Sequence, residues 1–144
     1  MIAVDTNLLV YAHREDSEWH DEARRLITGL ASSVNRWTIP WPCVHEFIAI
    51  ATHPRIYNPP TPLNLAFATL TAWNRSPGLR FFGEGPGYLE KLERISTAGK
   101  VAGPRIHDAR IAAICLNHGV AELWSADRDF SRFPNLKVRN PLAD

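Results

Sequence analysis

Residues 1–13, MIAVDTNLLVYAH, decide how the rest of the chain is read. Ile2, Ala3 and Val4 form a short apolar run with the character of a strand. It breaks at once on Asp5, with Thr6 and Asn7 behind it, and NLLVYAHRED then follows as a turn or two of helix. An acid at a strand's carboxyl end can be a helix cap, a surface residue or a functional group. The surrounding sequence decides among these.

Working outward, SEWHDEARRLITGLASS (residues 17–33) has helical periodicity. Ser17 is the expected N-cap, and Trp19, Ala23, Leu26, Ile27 and Leu30 form the expected apolar face. RWTIP is a second strand closed by Pro40, and Pro42 opens the helix PCVHEFIAIATH, which must stop before Pro54. PRIYNPPTP is too proline-rich for a regular element. PLNLAFATLTAW is an apolar helix and LRFFG a short strand. GPGYLEKLERISTAG is amphipathic, with Leu89, Leu92 and Ile95 expected on its apolar side. GPRIHDARIAAICLNHG is a helix opened by Pro104 and ended by Gly119. AELWSADRDF carries a strand into a polar turn, and LKVRN is the last strand. Strands alternating with helices predict an α/β fold with a mainly parallel central sheet, and such sheets bind ligands at the carboxyl ends of their strands.

The bulk composition bounds the function. The chain has 144 residues, 45% hydrophobic and 22% charged, which suits a single domain over residues 1–144. No apolar run approaches the roughly 20 residues of a membrane span, and the N-terminus lacks the features of a signal peptide, so a cytoplasmic protein is expected. The net charge of +1 gives no strong basic field. Cys43 and Cys115 lie far apart in apolar surroundings and are expected to be buried free thiols. No cysteine or histidine spacing suggests a structural zinc site.

Five acids fall at comparable points: Asp5 after the first strand, Glu46 on the second turn after TIPWP, Asp108 near the start of a helix, and Asp127 and Asp129 after the strand with Leu123 and Trp124. Each alone has an ordinary explanation, as a cap, a dipole partner or a solvated residue. In a parallel α/β sheet, however, all of these points lie on one edge. Clustered carboxylates repel one another and raise each other's pKa, and a divalent cation relieves that repulsion. All-oxygen ligands favour Mg²⁺ or Mn²⁺ over zinc, and such ions suit phosphodiester hydrolysis.

Four motifs in order, VDTNLLVYA, HEF, HDARIAA and SADRDFSRFPNLKV, resemble the PIN domain, in particular the VapC-type toxins of bacterial toxin–antitoxin pairs. The resemblance runs from Ile2 to Val138. It implies a three-layer α/β/α sandwich, a Mg²⁺- or Mn²⁺-dependent endoribonuclease, inhibition by a VapB-like antitoxin, and a homodimer. It places metal ligands at Asp5, Asp108 and Asp127 and a further catalytic acid at Glu46, with Asp129 the alternative to Asp127. Ser125 matches a small hydroxyl position, and Thr6 and Asn7 match a polar pair expected to orient the Asp5 carboxylate.

His45 and His107 each precede one of these acids but diverge from it by about 100° on a helix, which favours structural roles. Arg105 and Arg110 flank Asp108 and fit solvated side chains or phosphate contacts, and Arg128 is the better-placed phosphate candidate. Among rivals, a haloacid-dehalogenase-like phosphatase wants an acid where Asn7 stands. A receiver domain wants a matching lysine. A PIN-fold module that binds RNA or a partner without cutting it is the remaining alternative.

Overall fold

The structure, a computed structural model, describes residues 1–143. Five strands, β1 (Ile2–Val4), β2 (Trp37–Pro40), β3 (Leu79–Phe82), β4 (Glu122–Trp124) and β5 (Val138–Arg139), form one sheet in the order β3-β2-β1-β4-β5. Every pairing is parallel. Ile2 is in register with Trp37 on one side and Glu122 on the other, and Val4 with Trp124. Six α-helices connect the strands: α1 (Thr6–His13), α2 (His20–Ser32), α3 (Trp41–Ala51), α4 (Leu63–Asn74), α5 (Tyr88–Ala98) and α6 (Ile106–Asn117).

The chain moves from β1 to β2 to β3 in one direction, then crosses back over β1 to β4. With right-handed crossovers, α1–α4 cover one face and α5 and α6 the other, giving the expected α/β/α sandwich. Accordingly α1 packs on α2 and α3, α3 on α4, and α5 on α6. Central strands buried on both faces favour apolar side chains, and Ala3, Val4, Trp37, Ile39 and Leu123 are all buried, with Thr38 buried among them. The reversal of direction falls between β1 and β4. There, helices leave to opposite faces and a crevice opens beyond the strand ends.

Local chemistry sets the element ends. Pro40 closes β2 in extended backbone, and Pro42 sits in the first turn of α3, where its missing N–H costs nothing. Gly119 ends α6 with φ +69°, a left-handed geometry that glycine adopts without a Cβ clash.

Three expectations are corrected. Helix α2 begins at His20, and Ser17 precedes it, accepting the Trp19 N–H at 3.2 Å. Trp19 lies outside the apolar face, which is built on Ala23 and Ile27 with Leu26 and Leu30 beside them. Leu89 is 70% exposed, and α5 packs through Tyr88, Leu92 and Ile95. Both misplaced residues sit in the first turn or just before it, where the path of entry, and not periodicity, aims the side chain.

No helix among the described residues is long and apolar enough to cross a membrane. Both cysteines are free and buried as expected.

Candidate active site

Four segments deliver acids to the carboxyl edge of the sheet. Asp5 follows β1 directly, its N–H still donating to the Trp124 carbonyl at 2.9 Å. Glu46 projects from the second turn of α3, Asp108 from the first turn of α6, and Asp127 from the turn after β4. Because α3 and α6 start at this edge, their first turns reach the same crevice. Asp5, Thr6, Asn7, Glu46, Asp108 and Asp127 line one cleft of about 190 Å³, with Ile50, Ile111 and Phe130 as its apolar walls.

Asp5 stands at the N-cap position of α1 with extended backbone (φ −81°, ψ 163°), yet its side chain makes no capping bond. The carboxylate turns instead toward the crevice and is gripped from two sides. The Ser125 hydroxyl donates to Oδ2 at 2.7 Å and the Cys43 thiol to Oδ1 at 3.6 Å. Asp5 is 5% exposed. Burial disfavours its charged form and outweighs these hydrogen bonds, so its pKa rises from 3.8 to about 6, with Glu46 adding like-charge repulsion. The cap reading fails on geometry, since the buried carboxylate makes no capping bond to α1.

Ser125 ties the site together. While donating to Asp5 it accepts the Asp127 N–H at 3.0 Å, linking the ends of β1 and β4. Asp127 caps the short 3₁₀ turn Arg128–Arg132 by accepting the Asp129 N–H at 2.8 Å. Thr6 and Asn7 do not grip Asp5 through their side chains. The Thr6 hydroxyl donates to Glu46 Oε2 at 2.7 Å, and Asn7 Oδ1 accepts the Ala126 N–H at 3.3 Å. Thr6 thus orients the second acid, and Asn7 pins the β4 turn. Cys43, read from the sequence only as a buried thiol, joins the Thr6 backbone N–H in holding the Asp5 carboxylate. It lies one turn before Glu46 on the same face of α3, a spacing that marks it in retrospect.

The carboxylates of Asp108, Asp127 and Asp129 offer oxygens that lie within 4.8 Å of one another. Burial raises the Asp108 pKa, as does Asp127, while Arg105 and Arg132 oppose the rise. Arg105 sits against this group, ion-paired with Asp129 and 3.5 Å from Asp108 Oδ2. Asp5 faces the same cleft from the β1 side. This donor set is all oxygen, anionic, and partly desolvated, which fits a hard divalent cation and not a thiol- or imidazole-seeking one. Cys43 stays protonated, since burial and the neighbouring acids push its pKa well up.

Arg128 lines an adjoining groove beyond Asp127, with Ser125, Ser131 and Asn140, and is absent from the residues lining the acidic cleft. His45 bonds the Trp41 carbonyl at 2.9 Å, and His107 is exposed; neither lines the cleft.

Comparison with known proteins agrees with this architecture. The model of the PIN domain family matches residues 2–136. Ribonuclease VapC31 of Mycobacterium tuberculosis is 34% identical over 143 residues, covering 99% of this chain and 100% of its own length. Ribonuclease VapC48 of the same organism is 28% identical over 139 residues, 96% of each chain. Among solved structures, VapBC2 from Rickettsia felis, bound to a DNA fragment from its promoter, superposes with a TM-score of 0.70 at 19% identity, covering 96% of this chain and 98% of that one. M. tuberculosis VapC20, a sarcin-ricin loop cleaving toxin, superposes with a TM-score of 0.69 at 17% identity, covering 96% and 99%. Both share the fold.

Proposed function

The chain belongs to the PIN domain family, and on that premise we propose that it is a metal-dependent endoribonuclease, the toxin of a toxin–antitoxin pair. The single observation that carries this is the meeting of Asp5, Glu46, Asp108 and Asp127, from four separate segments, in one cleft at the switch point of the sheet. The names of its ribonuclease relatives over essentially the whole chain support it.

Asp5, Asp108 and Asp127 would hold Mg²⁺ or Mn²⁺, with Asp129 beside them. When bound, such a cation would supply neutralising charge for the phosphodiester and a more acidic water. The chain's own residues do the rest. Ser125 fixes the Asp5 carboxylate and the position of Asp127 at once. Thr6 holds Glu46 at Oε2, leaving Oε1 to orient the attacking water or take its proton. Ile50, Ile111 and Phe130 exclude bulk water from one side of the cleft, which strengthens the electrostatic interactions inside it.

The protein acts as a single domain on RNA in the cytoplasm and is held in check by a VapB-like antitoxin. Leu63, Leu65 and Phe67 of α4, each half exposed or more, offer apolar surface for that partner or for a second copy in a homodimer.

Inducing the full chain in a bacterium and sequencing RNA 5′ ends tests the proposal. Discrete new ends should accumulate with the wild type and be absent with Asp108→Asn at equal protein level. Identical end profiles from the two would refute it.

A further inference from the structure

The acidic cleft repels a polyanion, so RNA lying across it needs cations beside the acids. Two arginines stand there in the same way. Arg105, on the 3₁₀ turn that leads into α6, is held by Asp129 and Asp108. Arg110, on α6, donates through Nε to Glu84 Oε1 at 2.6 Å and feels the charge of Glu46. Glu84 follows β3 and Asp129 follows β4, so the two anchored arginines lie on opposite sides of β1 along the carboxyl edge.

Stability does not account for these pairs. Arg105 and Asp129 are 43% and 37% exposed, and Arg110 and Glu84 42% and 38%; ion pairs this exposed add little to stability. What each pair does is hold a guanidinium at a set place. A guanidinium carries five N–H donors. The ion pairs engage Arg105 through Nη1 and Arg110 through Nε. The remaining donors form the planar fork that suits phosphate oxygens.

We propose that Arg105 and Arg110 are backbone-phosphate contacts on either side of the scissile bond, and that single-stranded RNA crosses the strand ends from the β3 side to the β4 side over the acids. Asp129 and Glu84 are then positioning residues for the two arginines, which leaves Asp127 as the acid that works with Asp5 and Asp108. Arg128 lies in the adjoining groove beside Asp127, and none of the three arginines lines the acidic cleft itself. The assignment rests on the ribonuclease reading.

The test uses fluorescence anisotropy of a labelled single-stranded RNA with the full chain in Mg²⁺, carried in an Asp5→Asn background so that the RNA stays intact. Arg105→Ala and Arg110→Ala should each weaken binding about tenfold, as loss of a charged hydrogen-bonding contact does. Each should also reduce the slope of log affinity against log salt by about 0.7, the value for one phosphate on a single strand. Arg105→Lys and Arg110→Lys should restore the slope while recovering only part of the affinity. Arg25→Ala, on the exposed side of α2, should match the parent. Unaltered slope and affinity in either alanine variant, with circular dichroism showing a native fold, overturns the track. Failure of the wild type to cut any RNA overturns instead the reading beneath it, so the two failures are distinguishable.

Discussion

Replacing Asp5 by asparagine should stabilise the metal-free protein while removing its activity. In the folded chain Asp5 has a pKa of about 6 against 3.8 when free, mainly because burial disfavours its charge. The native state therefore binds the more tightly held proton. Its contribution is favourable at low pH, and stability is lost as pH rises from about 4 to about 6. Above that window the ionised group costs up to about 3 kcal/mol, from roughly two pH units at 1.36 kcal/mol each. Asparagine has nearly the same shape, keeps an oxygen to accept from Ser125, and carries no charge to desolvate.

For a chain of this length, 1 kcal/mol corresponds to about 2–4 °C, so the variant should melt up to about 10 °C higher at pH 7.5 in EDTA. The gain should shrink to nothing as pH approaches 4. It should shrink also when Mn²⁺ is added to about 100 times its dissociation constant, since binding then restores about 2.7 kcal/mol to the wild type. Thermal denaturation followed by circular dichroism, across pH 4–8 with and without metal, measures all three. A variant less stable than wild type at pH 7.5 in EDTA, or a difference independent of pH, would refute the reasoning. The Asp5 carboxylate would then be neither costly nor reserved for a cation.

Ser125→Ala removes a donor to Asp5 and an acceptor for the Asp127 N–H together; it should cost about 1–3 kcal/mol in urea denaturation and about 10–100-fold in cleavage rate. Both thiols are buried, with the Cys115 pKa pushed up to about 12, so a thiol reagent should label neither in the native protein and both in guanidinium. Gly78→Ala would bring a Cβ to 2.0 Å from the Asn35 carbonyl oxygen, and since Trp37 N–H donates to the Gly78 carbonyl at 3.0 Å, the β2–β3 pairing should loosen. We expect a loss of more than about 2 kcal/mol, read from the denaturation midpoint.

What the sequence disclosed, and what it withheld, follows from the range of each interaction. Asp5 stood out because an apolar triplet ends on it, and strand alternation placed the other acids at helix starts or strand ends on the same edge. Those are local signals, and the sheet topology turns them into one cleft. The partners of each acid were not local. Ser125 reaches Asp5 across 120 residues and Thr6 reaches Glu46 across 40, so only the packed fold could show which hydroxyl serves which carboxylate. The Arg105–Asp129 pair and the grip of Cys43 on Asp5 are of the same kind. Periodicity likewise misplaced Trp19 and Leu89, because one precedes the helix proper and the other lies in a first turn whose direction is set by the loop before it.

On the proposed function, the gathered carboxylates make this fold a metal-dependent ribonuclease. That is tested by the cleavage rate of the purified protein on labelled single-stranded RNA in Mg²⁺, against Asp108→Asn prepared identically. The wild type should cut, stop cutting in EDTA and resume on added Mg²⁺ or Mn²⁺, and the variant should cut at least about 100-fold more slowly. Equal cutting by the two proteins, or cutting by the wild type undiminished in EDTA, would contradict it.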